Sequence, residues 1–153
     1  MASWDEIERV APEFAQRVRR LFDARKHKTM ATVRADGSPR ISGIELSFDA
    51  GEVRFGSMPG ALKGRDLHRD PRLAVHSPSV DAPDDDQAAW PGEAKIAGRA
   101  IAERDDSPPD DSSGDSFRID INEVVLTYLA DTADKLVIES WHPDRGWERR
   151  SRA

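Results

Sequence analysis

The sequence predicts a mainly β domain with flanking helices (α+β), built on one mostly antiparallel sheet of six or seven strands closed into a small β-barrel. Three observations carry this expectation. From Thr29 onward, apolar residues fall in short blocks with the two-residue alternation of half-buried strands. Turn residues separate neighbouring blocks so closely that the strands must pair antiparallel. Helical periodicity is confined to residues 3–25 and one short insertion, and a chain of 153 residues supports a single core.

The elements follow in order. Ser3 and Glu6 stand in capping-box register, and Trp4, Ile7, Val10, Ala11, Phe14, Val18, Leu21 and Phe22 recur at three- and four-residue intervals along one helical face. Pro12 either kinks this helix or divides it. Its polar side carries Arg17, Arg19, Arg20 and Arg25, a pattern met most often on a solvated face. Thr29–Arg34 and Arg40–Phe48 read as a hairpin, with Asp36-Gly37 as a two-residue turn that wants positive φ at both positions. Asp49-Ala50-Gly51 turns the chain into a third strand, Glu52–Gly56. Ala61–Arg69 is a short helix ended by Asp70-Pro71, and Arg72–Ser77 is a fourth strand. Glu93–Arg104, Val124–Ala130 and Lys135–Trp141 complete the set. The expected organisation is one domain over 1–153, with a barrel at 28–142 and acidic loops at 81–92 and 105–116.

Composition excludes several classes. The chain has no cysteine, which removes disulfides, thiolate nucleophiles and zinc–thiolate sites. No apolar run approaches the length of a membrane span, and the N-terminus lacks the basic-then-apolar pattern of a signal peptide, so a cytoplasmic, non-membrane protein is expected. Lys plus Arg number 23 against 29 Asp plus Glu, a net charge of -6 that argues against nucleic-acid binding. His27, His68, His76 and His142 have no metal-ligand spacing, and Asp84-Asp85-Asp86 lacks the glycine and glutamate of an EF-hand, so no metal is expected. No serine has a nucleophile-elbow context, and neither a Walker loop nor a G-x-G-x-x-G occurs.

The acidity is local. Asp81, Asp84, Asp85 and Asp86 lie in one loop, and Glu103, Asp105, Asp106, Asp110, Asp111 and Asp115 in or beside the other. Residues 54–72 instead carry Arg54, Lys63, Arg65, Arg69 and Arg72 against Asp66 and Asp70. Here Gly56-Ser57-Met58-Pro59-Gly60 leads from a strand into a helix, where free amides, the Ser57 hydroxyl and the cations Lys63 and Arg65 can hold a phosphate. Lys63 and Arg65 diverge by about 200° on a regular helix, so both face one small anion only if the helix start is irregular. An ordinary surface helix is the competing reading. Trp90 and Trp147 lie outside the strongest apolar runs, and tryptophan there either packs or covers a planar ring.

Taken together, Met30-Ala31-Thr32-Val33-Arg34-Ala35-Asp36-Gly37-Ser38-Pro39-Arg40, Lys63-Gly64-Arg65-Asp66-Leu67-His68-Arg69-Asp70-Pro71-Arg72 and Ala94–Ala100 with Gly98 resemble, in order and spacing, the pyridoxamine 5′-phosphate oxidase-like split β-barrel superfamily. The resemblance spans about residues 25–102. It implies a split barrel of the FMN-binding type and a homodimer that holds FMN or the deazaflavin coenzyme F-420 at the subunit interface. It further implies a hydride-transferring oxidoreductase acting on a small organic substrate. Ser57, Lys63 and Arg65 are then expected at the cofactor phosphate. Arg40, Ile41, Ser42 and Gly43 are expected beside the isoalloxazine ring, and Trp90 approaches from the partner chain. No catalytic side chain is assigned. Two positions depart from the pattern: Ala61 stands where Arg or Ser is usual, and Asp66 replaces an asparagine, placing a negative charge near the expected phosphate. The C-terminal arginine and histidine substrate motif of true pyridoxamine phosphate oxidases has no counterpart. A non-catalytic flavin- or haem-binding barrel is the alternative, and Ala61 and Asp66 favour it.

Overall fold

The computed structural model describes residues 2–103 and 114–153. Eight strands run in the order β3-β2-β1-β4-β5-β6-β7-β8, and a further β3–β6 pairing closes the first six into an antiparallel barrel. Two helices, α1 (Trp4–Val10) and α2 (Pro12–Asp23), pack at one side. A third, α3 (Leu62–Arg69), joins β3 to β4. Among the described residues, no helix is long and apolar enough to cross a membrane.

Pro12 divides the N-terminal helix rather than bending it. It occupies the first turn of α2, where no N–H is needed, and Ala11 leaves helical geometry at φ -142° and ψ 66°. The Ser3–Glu6 capping box does not form: Ser3 caps no backbone amide, and its hydroxyl turns to the Asp5 carboxylate. Val10, expected on the buried face, is 69% exposed because α1 ends there. The other apolar positions behave as their period requires. Trp4 and Phe22 both pack on Phe48 of β2, with ring centroids 4.9 and 6.0 Å away, so the helices are fastened to the barrel through one aromatic.

β1 (His27–Val33) and β2 (Pro39–Asp49) form the expected hairpin, but not through a two-residue turn. Arg34 N donates to Ser38 O at 2.8 Å, Gly37 N donates to Arg34 O at 2.9 Å, and of the turn residues only Gly37 has positive φ, at 86°. This is a three-residue loop with glycine at the left-handed position. Paired positive φ occurs instead at the next turn, where Ala50 (50°) and Gly51 (77°) join β2 to β3 (Glu52–Ser57). Asp5 N then donates to Gly51 O at 3.1 Å and docks α1 on that turn.

The remaining strands are β4 (Arg72–His76), β5 (Glu93–Glu103), β6 (Asp115–Leu129), β7 (Leu136–His142) and β8 (Gly146–Arg152). Phe55 and Phe117, opposite one another on β3 and β6, stack at 5.3 Å where the barrel closes. A bulge between Ala97 and Gly98 turns β5, and a Cβ at Gly98 would lie 2.1 Å from Asp120 O. Met30, Val53, Val75, Ile96, Phe117, Ile119, Ile121 and Leu126 fill the interior. Two differences from the sequence reading stand out. β6 starts at Asp115, within the stretch expected as loop 105–116, the rest of which up to residue 113 lies outside the described residues. β8 extends the sheet beyond residue 142 and pairs Trp147 with Trp141.

Candidate functional site: the groove between β2, β3 and α3

The site begins with the way α3 is held. Gly60 takes φ 71°, Ala61 N donates to Met58 O at 3.1 Å, and the chain enters the helix directly from the end of β3. Asp66 anchors the helix body. Its carboxylate is buried and accepts from Thr32 Oγ1 at 2.8 Å, Arg40 Nε at 2.7 Å and Arg69 Nη2 at 3.1 Å. Arg69 also donates to Val33 O at 2.8 Å. Burial alone would raise the Asp66 pKa. The three donors outweigh it and hold the carboxyl below its ordinary value. The charge that replaces the usual asparagine is therefore spent on fixing α3 to β1 and β2, so it does not oppose a ligand anion.

With α3 fixed, its first turn faces a groove of about 560 Å³ whose lining includes Gly43, Glu45, Ser57, Lys63 and Asp115. Lys63 Nζ rests 3.3 Å from Gly43 O and has no carboxylate partner among the described residues. Ser57 is buried, and among the described residues its hydroxyl donates to Met58 O at 3.5 Å. Gly64 has no space for a larger residue: a Cβ there would lie 3.0 Å from both Ser57 Oγ and Asp115 Oδ2. Asp115 Oδ1 in turn lies 3.2 Å from His68 Nε2. At the opposite rim, Glu45 Oε1 stands 3.5 Å from Lys26 Nζ and 3.7 Å from His27 Nε2.

Of the residues expected at a cofactor, the structure brings together Gly43, Ser57 and Lys63. Arg40, on the same strand, is instead engaged with Asp66. Ser42 pairs with Met30 and is half-buried, while Ile41 is 74% exposed on the outer face of the sheet. Arg65 is exposed and does not line the groove, in keeping with the divergence of two helical residues two apart. Trp90 also lies outside the groove of its own chain, and its indole N–H donates to Val80 O at 2.9 Å. His27, Glu45, Gly114 and Asp115 were not anticipated. Asp115 arrives through the Ser57–Asp115 register of β3 and β6, a pairing between distant segments that no local pattern announces.

The sequence matches the family profile of pyridoxamine 5′-phosphate oxidase over residues 14–128. The chain belongs to this family. No curated protein matches it, but solved structures do. A pyridoxamine 5′-phosphate oxidase-related, FMN-binding protein from Nostoc punctiforme PCC 73102 aligns over 100% of this chain and 98% of its own, with TM-score 0.61 and 13% identity. PhzG from Burkholderia lata 383, solved with tetrahydrophenazine-1-carboxylic acid, aligns over 97% and 90%, with TM-score 0.61 and 14% identity. An F420 reductase aligns over 68% and 92%, with TM-score 0.50 and 15% identity. These likenesses establish the family's split barrel as the fold.

The groove carries groups suited to an anionic ligand. Lys63 and the Ser57 hydroxyl provide donors for an anion beside the free amides of a helix start, and Gly43 presents a backbone edge with nothing within 4 Å of its missing Cβ.

Proposed function

We propose that the protein binds a flavin-type cofactor, FMN or F-420, in this groove and transfers a hydride to or from a small organic substrate. The observation that carries the reading is the convergence of Gly43, Ser57 and Lys63 on one groove in a chain of this family, with no carboxylate beside Lys63 among the described residues. Lys63 Nζ and Ser57 Oγ would hold the cofactor's anionic group, and the β2 backbone at Gly43 would help to bind its ring. Asp66, through Arg40, Thr32 and Arg69, keeps α3 in the position that aims Lys63. The bound cofactor supplies the two-electron chemistry, and the chain's part is to bind, orient and shield it.

The reading includes a homodimer. Across the outer sheet face, Ile41, Ala31, Ala74 and Ala97 stand side by side on four adjacent strands, with Ile41 74% exposed. Such a flat row of small apolar groups suits a second copy of the same face. In that assembly, the partner subunit's Trp90 is the aromatic that reaches the groove. Sedimentation should give a dimer for the native chain and a monomer for Ile41→Asp.

The test of the cofactor reading is the absorption spectrum of the purified protein, followed by titration with FMN and with F-420. Binding of either at about micromolar Kd or tighter, weakened at least tenfold in Lys63→Ala, supports the proposal. Failure of both to bind overturns it. A haem Soret band without flavin binding supports the non-catalytic barrel instead.

A further inference from the structure

Charge in the groove is divided. Lys63, which has no carboxylate partner among the described residues, shares the pocket with Asp115. The missing Cβ of Gly64, the third residue of α3, brings Asp115 Oδ2 and Ser57 Oγ to the same short stretch of the helix's first turn, each 3.0 Å from where that Cβ would be. Gly114 fixes the approach, because a Cβ there would lie 2.3 Å from Ser57 O. The backbone of Gly114-Asp115 is thus held against the end of β3, which keeps Asp115 at the groove. Among the described residues its side-chain partner is His68, with Nε2 3.2 Å from Oδ1. Glu45, across the groove, is already matched by Lys26 and His27.

We infer that Asp115 is a specificity-determining residue which sets the charge of the anionic group accepted beside Ser57 and Lys63, favouring a singly charged phosphodiester over a phosphomonoester. The inference rests on the flavin-type reading above and narrows it. A phosphomonoester carries about -1.5 to -2 at pH 7, whereas a diester carries one negative charge. One lysine balances the diester, but the second charge of a monoester shares the pocket with the Asp115 carboxylate and is repelled by it. FMN ends in a monoester and F-420 carries its phosphate as a diester, so at this subsite Asp115 disfavours the FMN phosphate more than that of F-420.

The experiment is a set of equilibrium titrations at low ionic strength, where screening is weakest. Riboflavin, F-420 and FMN carry none, one and nearly two charges at the phosphate, and each is titrated into the native chain, Asp115→Asn and Asp115→Glu. Asp115→Asn should tighten FMN by about tenfold, F-420 by about threefold and riboflavin by less than about twofold. Asp115→Glu, which keeps the charge, should retain the native ratio of FMN to riboflavin. Riboflavin binding also reports that each variant is folded. Equal gains for all three ligands, or none for FMN, would overturn the role of Asp115 while leaving the cofactor reading intact. If none of the three ligands binds the native chain, the cofactor reading falls and this inference falls with it.

Discussion

Two carboxylates flank α3, and they do opposite things. Asp66 is buried on the side facing β1 and β2, with three donors on its oxygens and two arginines to balance its charge. Asp115 stands on the groove side, partly exposed, with one histidine beside it. The first is a fastening and the second is part of the binding surface. Surroundings decide the role of a carboxylate: donors from three elements make Asp66 structural, whereas an open pocket shared with Lys63 makes Asp115 a determinant of which ligand enters.

The largest test of this contrast is Asp66→Ala. It leaves Arg40 and Arg69 without their acceptor and should lower unfolding free energy by about 2–4 kcal/mol in urea. Asp115→Ala should change it by less than about 0.5 kcal/mol, since its ion pair is exposed. Equal losses would erase the distinction. Next in size is Lys63→Ala, for which tenfold weaker cofactor binding corresponds to about 1.4 kcal/mol. Its unfolding midpoint should stay at the native value, because the side chain's one contact is a 3.3 Å approach to a carbonyl.

Acid gives a smaller and graded effect. The Asp66 pKa lies below its ordinary value of 3.8 in the fold, so the unfolded chain takes up a proton there first as pH falls. The stabilisation from this group is complete above about pH 5 and is lost as pH drops through 3.8 towards the folded pKa. Melting curves should therefore steepen in their pH dependence below about pH 4, and Asp66→Asn should remove that part of the slope. The smallest effect is expected at Arg65. It is exposed and turned from the groove, so Arg65→Ala should leave cofactor affinity within about twofold of native and stability within about 0.5 kcal/mol.

These contrasts also mark what the amino-acid sequence makes legible. The first hairpin, the β3–α3–β4 segment and the apolar face of α1 and α2 follow from local period and turn chemistry. Lys63 and Ser57 follow from a strand entering a helix through Pro59-Gly60. Asp66 is legible as a departure from a motif, but its structural role is not, because Thr32, Arg40 and Arg69 converge on it from separate elements. Asp115 was counted among loop acids. Its place in the groove depends on barrel closure between β3 and β6, a contact across distant sequence. The turn at Asp36-Gly37 shows the same limit at short range: its residues allow two loop lengths, and the Arg34–Ser38 hydrogen bond selects the longer. β8 was missed because Gly146–Arg152 is mostly exposed and lacks the apolar alternation that announces a strand.

The most direct test of where the cofactor sits is an amide-resolved NMR titration of the isotope-labelled protein with F-420 or FMN. The largest shift changes should fall on Gly43, Gly56, Ser57, Lys63 and Gly114, around the groove between β2, β3 and α3. Changes centred instead on another groove, such as that beside Trp141 and Trp147, would contradict the assignment of this site.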